Sequence, residues 1–372
     1  MKRICSILFC IHVVLILFVP AADAAADAPG VSAKSYTLLE PATGTVLAER
    51  SAHVQMPVAS LTKIMTAAVV LERNVLDEPV EILPEYTGIE GSSMYLRAGE
   101  TLTVGELLYG LMLASGNDAA VALAYHVAGG IPEFADLMNE KAADLGMENS
   151  SFANPHGLDA AGHFSTAYDM AILAGWAMES EQFAQIVGTR NTQAAGRSLV
   201  NHNKLLWRYE GALGVKTGFT KKAGRGLVSA AQREGTRFIC VTISAPDDWD
   251  DHKALLNWGF ANYRTHRVIA RGDAVAMIPL ISGRLEAVTL IAESDVTLLT
   301  KAGDSIQVGI EVPPFAYAPI QAGDPGGTLY VEVNGERMQE IRLLYGETTL
   351  RDEAMRLTIW EQIRRSFEMA FR

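Results

Sequence analysis

Ser60-Leu61-Thr62-Lys63-Ile64-Met65-Thr66-Ala67-Ala68-Val69-Val70-Leu71 reads as an apolar, Ala-rich helix whose first turn carries a hydroxyl and, three residues on, an amine. Before it, Ser35-Tyr36-Thr37-Leu38-Leu39 and Thr45-Val46-Leu47-Ala48 flank a turn at Pro41 to Gly44 and predict a β-hairpin. After it, a helix is expected from Thr103 to Ala114, where Glu106 follows Thr103 by three in a capping-box arrangement. Further helices are expected at Ala119 to Val127, Ile131 to Leu145 and Thr166 to Met178. Past Gly211 the period becomes strand-like at Leu213 to Thr217, Gly226 to Gln232 and Arg237 to Ser244, and a last helix spans roughly His252 to Tyr263. Helices enclosed between an early hairpin and late strands predict an α+β fold with an antiparallel sheet.

Working outward, the pattern shifts near Arg264 to Arg267. From there to Tyr345 short alternating segments such as Ala274-Val275-Ala276-Met277, Ala287-Val288-Thr289-Leu290 and Thr328-Leu329-Tyr330-Val331-Glu332-Val333 are separated by Gly, Asp, Asn and Pro. A small all-β domain over 268–345 is expected, following a larger domain over 31–263. The length of 372 residues fits two domains at roughly 150 residues each. With 31 basic and 43 acidic residues the formal charge is -12, which repels a phosphate backbone and argues against nucleic acid as a partner. Three cysteines cannot build a disulfide framework, and Cys240, in an apolar strand, reads as a buried small hydrophobe.

Both ends carry membrane-related signals. Lys2 and Arg3 precede the apolar run Ile4 to Ala22, and Ala22-Asp23-Ala24 supplies a small-residue cleavage pattern, so residues 1–24 read as a secretory signal peptide that also removes Cys5 and Cys10. An uncleaved membrane anchor is the alternative; either way the remainder is expected to work outside the cytoplasm. At 100° per residue, Met355, Ile359, Trp360, Ile363, Phe367, Ala370 and Phe371 share one arc opposite Glu361, Gln362, Arg364, Arg365, Glu368 and Arg372. Residues 352–372 are therefore expected to form an amphipathic helix lying on a membrane surface, the plainer alternative being a helix docked on its own domain.

Three short elements carry candidate chemistry. In Ser60-Leu61-Thr62-Lys63 the spacing puts hydroxyl and amine on one helix face, one turn apart, so a neutral Lys63 can take the proton of Ser60. Burial and a second nearby cation would both lower the amine's pKa towards that state. Ser115-Gly116-Asn117 follows the helix that ends at Ala114, where a turn can aim a hydroxyl and a carboxamide into a cleft; the bland reading is a helix C-cap built on Gly116. Lys216-Thr217-Gly218 ends an expected strand, where cation and hydroxyl can meet a substrate carboxylate and Gly218 leaves room for a substrate backbone. Each element alone is common. Their order, with Ser-x-Asn 55 positions after Ser-x-x-Lys and Lys-Thr-Gly 101 beyond that, is what persuades.

On these elements the chain resembles the penicillin-binding and serine β-lactamase superfamily, and more narrowly the low-molecular-mass D-alanyl-D-alanine carboxypeptidases, serine peptidases of family S11. The resemblance extends to Ala59 through Ala67, Gly91-Ser92-Ser93-Met94-Tyr95-Leu96, Leu108 through Ala120, Phe152 through Asp159 and Val215-Lys216-Thr217-Gly218-Phe219-Thr220. It implies a penicillin-binding-protein-like catalytic domain followed by the β-rich domain and terminal helix. It also implies an enzyme of the bacterial cell surface, at the outer face of the cytoplasmic membrane, that removes the last D-Ala from peptidoglycan stem pentapeptides. Ser60 would attack, Lys63 would act as general base, and the amides of Ser60 and Phe219 would form the oxyanion hole. Ser115 would relay a proton to the leaving amine, Asn117 would bind substrate and orient Lys63, and Lys216 and Thr217 would hold the terminal carboxylate. β-Lactam antibiotics would be covalent inhibitors, and no cofactor or metal is implied. Several family members carry His where this chain has Phe219, which bears on deacylation and pH dependence. A serine β-lactamase would need a Glu-x-x-x-Asn element that is missing between Asn154 and Gly214. A metallopeptidase would need a ligand cluster, yet His156 and His163 read as loop residues. A non-catalytic wall-binding protein of the same fold is the third alternative.

Overall fold

The computed structural model describes residues 11–17, 27–73 and 76–352, together with Glu361 and Arg364. They divide into two compact units, 27–262 and 263–352, and β1 (Ile11–Leu17) goes with the second. The rest of the leader expected at 1–24, and the amphipathic helix expected at 352–372 apart from Asp352, Glu361 and Arg364, lie outside the described residues.

The first unit runs β2 (Ser35–Glu40), β3 (Thr45–Arg50), a 3-10 turn (Ala59–Thr62), α1 (Lys63–Leu71), β4 (Pro79–Glu81), β5 (Thr101–Thr103), α2 (Val104–Leu113), α3 (Asn117–Ala128) and α4 (Ile131–Asp144). It continues with α5 (Ala167–Ala177), α6 (Glu181–Gly188), β6 (Asn191–Ala194), β7 (Arg197–Val200), α7 (Leu205–Arg208), β8 (Ala212–Thr220), β9 (Gly224–Arg233), β10 (Thr236–Ile243) and α8 (Asp248–Asn262). Its main sheet is antiparallel throughout, in the order β3-β2-β10-β9-β8, so β8 is an outer strand. Every residue of β2 is buried because the sheet is covered on both faces, α5 and α8 each packing on β2 and β10. Every residue of α1 is buried as well, which is why its sequence is apolar on all sides. Each of Ile64, Met65 and Val70 stabilises the unit by roughly 1.5–3 kcal/mol relative to exposure.

Local chemistry sets the helix starts. Thr103 Oγ1 accepts from the Glu106 amide at 3.2 Å while Glu106 Oε2 accepts from the Thr103 amide at 2.9 Å, the reciprocal box expected for α2. Thr166 and Ser180 cap α5 and α6 one way only, each side-chain oxygen accepting from the amide three residues on, at Asp169 and Phe183. α8 begins at Asp248, earlier than the expected His252, because its first turn gathers Asp248, Asp250 and Asp251 at the positive end of the helix dipole. α6, α7 and the hairpin β6–β7 were not anticipated. Lys216-Thr217-Gly218 does not end a strand: β8 continues to Thr220, and Gly218 serves close packing rather than a turn.

The second unit contains β11 (Tyr263–Ile269), β12 (Ala274–Ile281), β13 (Ala287–Ala292), β14 (Val296–Lys301), β15 (Ile306–Val312), β16 (Ala316–Tyr317), β17 (Pro325–Val333) and β18 (Glu336–Tyr345). One sheet has the order β1-β15-β17-β18-β13-β12-β16, antiparallel except for β12–β16, and β11 pairs with β14. Its core is aliphatic, built on Val288, Leu290, Val296, Leu329, Val331 and Leu343. An α+β domain with an antiparallel sheet, followed by an all-β domain, is the observed architecture.

Candidate active site

The 3-10 turn seats Ser60 against the outer strand. A Cβ on Gly218 would lie 3.1 Å from both the Leu61 amide and the Val58 carbonyl, and one on Gly157, which is left-handed at φ +87°, would lie 1.9 Å from the Ala59 carbonyl. Glycine at both positions lets β8 and the 153–159 loop close on the turn that carries Ser60.

Lys63, on the next turn of helix, is fully buried, and its Nζ lies 3.0 Å from Ser60 Oγ, 2.6 Å from Asn117 Oδ1 and 2.7 Å from the His156 carbonyl oxygen. Asn117 Nδ2 donates to the Glu90 carbonyl at 2.5 Å, so Oδ1 is the acceptor turned to Lys63. A neutral amine has two N–H donors and one lone pair. The two obligate acceptors, Asn117 Oδ1 and the His156 carbonyl, take the two donors, and the lone pair is left for the Ser60 hydroxyl to donate to. Burial, reinforced by the charge of Lys216 and opposed by Asp118, holds the Lys63 amine well below the usual lysine range. The contacts and the pKa direction agree on a lysine ready to accept a proton.

Lys216 is also buried and donates to the Thr217 carbonyl at 2.9 Å; burial pushes its amine down to about 7. Two buried ammonium groups repel each other, so the pair favours one charge over two.

Ser115 occupies the corner between α2 and α3. The left-handed residue there is Ser115 itself, at φ 59°, while Gly116 at φ -60° is the N-cap of α3, which corrects the reading of a C-cap built on Gly116. Gly116 is fixed by crowding instead: a Cβ there would sit 2.7 Å from Asp118 Oδ1. Asp118 accepts from Ser93 Oγ at 2.6 Å and from the Met94 and Leu96 amides at 3.0 Å each, and the Asn117 amide donates to the Ser92 carbonyl at 2.7 Å. These bonds hold the 91–96 loop against the corner.

Ser60, Ser115, Thr217, Gly218 and Phe219 line one cavity of about 360 Å³, with Phe219 65% exposed. Among the residues expected from sequence, Lys63 contacts both Ser60 and Asn117, Ser115, Thr217, Gly218 and Phe219 share the cavity with Ser60, and Lys216 is bonded to Thr217. The same cavity is lined by His202, Lys204, Arg225, Asp248 and Trp249, none of which the sequence pointed to. Burial and the charge of Lys216 lower the His202 pKa. On a chain of net charge -12, Lys204 and Arg225 on the cavity wall, with buried Lys216 bonded to Thr217, favour anions near Ser60.

His156 and His163 do sit in a loop, and both contribute to the site's frame. The Ala153 amide donates to His163 Nδ1 at 3.0 Å, so Nε2 carries the proton and donates to Thr62 Oγ1 at 2.8 Å; burial pushes His163 down to about 4. Among the described residues no group of three His, Cys, Asp or Glu side chains is placed to hold a metal ion.

Comparison with known proteins places this geometry. A family model described as D-alanyl-D-alanine carboxypeptidase matches residues 22–247, and one for the penicillin-binding protein 5 C-terminal domain matches residues 263–350. The chain is 35% identical over 361 residues to the D-alanyl-D-alanine carboxypeptidase DacF of Bacillus subtilis (strain 168), covering 91% of this chain and 92% of that protein. It is likewise 35% identical over 356 residues to DacC of Escherichia coli (strain K12), covering 90% and 89%. The crystal structure of penicillin binding protein 5 from Haemophilus influenzae superposes with a TM-score of 0.74 at 28% identity, covering 88% of this chain and all of that one.

Proposed function

The chain belongs to the D-alanyl-D-alanine carboxypeptidase family, and from that premise and the cleft's geometry we propose which residues perform the reaction. The enzyme is a serine carboxypeptidase that cleaves a terminal D-Ala-D-Ala bond through an acyl-enzyme. Neutral Lys63 takes the Ser60 proton as Oγ attacks the carbonyl of the penultimate D-Ala. The developing oxyanion is held by the Ser60 and Phe219 amides at the junction of the 3-10 turn and the outer strand β8. Ser115 passes a proton to the departing D-Ala amine, and Asn117 binds the peptide and orients Lys63. Thr217 and Lys216 receive the free carboxylate, and water then releases the shortened peptide from Ser60. Penicillins acylate the same hydroxyl and leave slowly.

One observation carries this assignment: Lys63 Nζ, buried and bonded to two obligate acceptors, meets Ser60 Oγ at 3.0 Å. Intact-mass measurement after exposure to benzylpenicillin is expected to show one adduct on the peptide containing Ser60, alongside release of D-Ala from a pentapeptide ending in D-Ala-D-Ala. An adduct on another side chain overturns the assignment.

Residues 1–24 act as an export signal and 352–372 as a membrane-surface anchor in this reading. It is supported by the charged, apolar and small-residue order of the first segment and the aromatic-bearing apolar arc of the second. No helix among the described residues is long and apolar enough to cross a membrane. Deleting 352–372 is expected to release the mature protein from membranes, and retention after that deletion refutes the anchor.

A further inference from the structure

Among the described residues the β-rich unit exposes five large apolar side chains, and three of them meet at one end of β12. Leu285 sits in the 282–286 turn that joins β12 to β13, Tyr317 ends β16, and Leu350 belongs to the stretch after β18; they are 39%, 49% and 56% exposed. The backbone ties the three segments together. Ile281 pairs with Tyr317, the Ala318 amide donates to the Ile281 carbonyl at 3.0 Å, and Gly283 bridges to Arg351. The Arg284 amide donates to the Leu350 carbonyl at 3.2 Å, and the Asp352 amide to the Ser282 carbonyl at 2.9 Å. Phe315 braces Tyr317 edge to face, with ring centroids 5.5 Å apart.

Two exposed cations share this end with the acids Glu286 and Asp352. Arg267, Arg337 and Arg342 of the same unit are paired with Asp295, Glu311 and Glu293, whereas Arg284 and Arg351 have no ion-pair partner among the described residues. What covers such a surface follows from the chain that leaves it. Met355, the first residue of the apolar arc, lies three residues beyond Asp352, a reach of at most about 10 Å. If that arc lies on a bilayer, this end of the unit is held at the depth of the lipid headgroups.

Resting on the membrane reading of residues 352–372, we propose that this end of the β-rich unit is a second lipid-contacting surface. Leu285, Tyr317 and Leu350 enter the headgroup layer, and Arg284 and Arg351 meet lipid phosphates. Tyrosine suits that boundary because its ring is apolar and its hydroxyl polar, and a guanidinium matches phosphate in charge and shape while its stem stays on apolar surface.

Sedimentation of the mature protein with vesicles of phosphatidylglycerol and phosphatidylcholine tests the proposal. Leu285→Ser with Tyr317→Ser, and separately Arg284→Gln with Arg351→Gln, are each expected to weaken binding by about 10-fold. D-Ala release from a soluble pentapeptide is expected to be unchanged in both. An environment-sensitive dye on Tyr317→Cys is expected to shift to the blue when vesicles are added, and the same dye on Met338→Cys, towards the other end of β18, to stay unshifted. Cys240 is buried and does not compete for the dye. Unchanged binding in both double variants, or dye shifts of equal size at the two positions, overturns the proposal. So does a loss of self-association in place of vesicle binding, which makes the end a contact between copies. If a double variant folds poorly, the dye comparison decides alone. Failure of the underlying anchor reading looks different: deleting 352–372 then leaves the parent's vesicle binding unchanged.

Discussion

Every aspartate, glutamate, lysine or histidine that is buried among the described residues lies between Glu40 and His252, while the buried polar residues of the β-rich unit are the hydroxyl side chains Ser282, Thr300 and Thr349. The β-rich unit keeps its charges outside, in pairs such as Arg337 with Glu311 and Arg342 with Glu293, over a core of valine, leucine and isoleucine. Among the described residues, the catalytic unit instead encloses Lys63 and Lys216 without a carboxylate bonded to either amine. Desolvated, unpaired amines are costly to keep, and a unit meant only to fold would replace them with apolar residues. The difference marks where catalysis has been placed and predicts that equal substitutions have unequal consequences in the two units.

The largest expected effect breaks the contrast at its centre. Lys63→Met fills the same buried space and removes the proton acceptor, so acylation of Ser60 is expected to fall by about 10³-fold or more. Relief of the amine's desolvation and the loss of a donor for Asn117 Oδ1 and the His156 carbonyl oppose each other, so the melting temperature is expected to move by only a few degrees. Stopped-flow acylation with benzylpenicillin beside a thermal melt reads both. A variant that still acylates at a tenth of the parent rate shows that Lys63 is not the base.

Leu290→Ala is the mirror experiment. Leu290 is fully buried in β13, and its truncation is expected to cost about 2–5 kcal/mol of the β-rich unit's stability, with a cavity left between β12 and β18. D-Ala release from a soluble pentapeptide at 25 °C is expected to stay within twofold of the parent. A proportional loss of activity would show that the catalytic cleft depends on packing in residues 263–352.

How legible this was in the sequence follows from the range of each contact. Ser60 and Lys63 meet within one helical turn, and Thr103 with Glu106 likewise, so local spacing made both pairs visible, although Ser-x-x-Lys became persuasive only in order with Ser-x-Asn and Lys-Thr-Gly. The hairpin, the helices α1 to α5 and the late strands were legible because their apolar periods are long. α6 is short, and in β6–β7 only Ala194 and Leu199 are buried, so little apolar pattern marks that stretch. Gly218 was read as the end of a strand because glycine punctuates; its task is to admit the Val58 and Leu61 backbone. Arg225 with Asp248, and the carbonyls of His156 and Glu90, are long-range or backbone contacts that no local spacing encodes.

The smallest expected effect concerns acid. His252 is fully buried between Ser229 Oγ, 2.6 Å from Nδ1, and Thr242 Oγ1, 2.9 Å from Nε2, and burial pushes its pKa down to about 3. In the unfolded chain it titrates near 6.5, so between these values the unfolded state binds the extra proton and acid favours unfolding. The stabilisation from the neutral ring is complete above about pH 6.5 and is lost as pH falls towards 3, by at most about 1.4 kcal/mol per pH unit. His163, pushed down to about 4, acts with the same sign. Denaturant unfolding at a series of pH values is therefore expected to show the catalytic unit weakening steeply below pH 6.5 and the β-rich unit less so. His252→Gln is expected to lower stability at neutral pH, through the bonds to Ser229 and Thr242, and to flatten the slope by about one proton. The slope is the discriminating measurement, because a purely packing role would shift the whole curve and leave its steepness unchanged; an unaltered slope in the variant means that the buried ring is not what acid attacks.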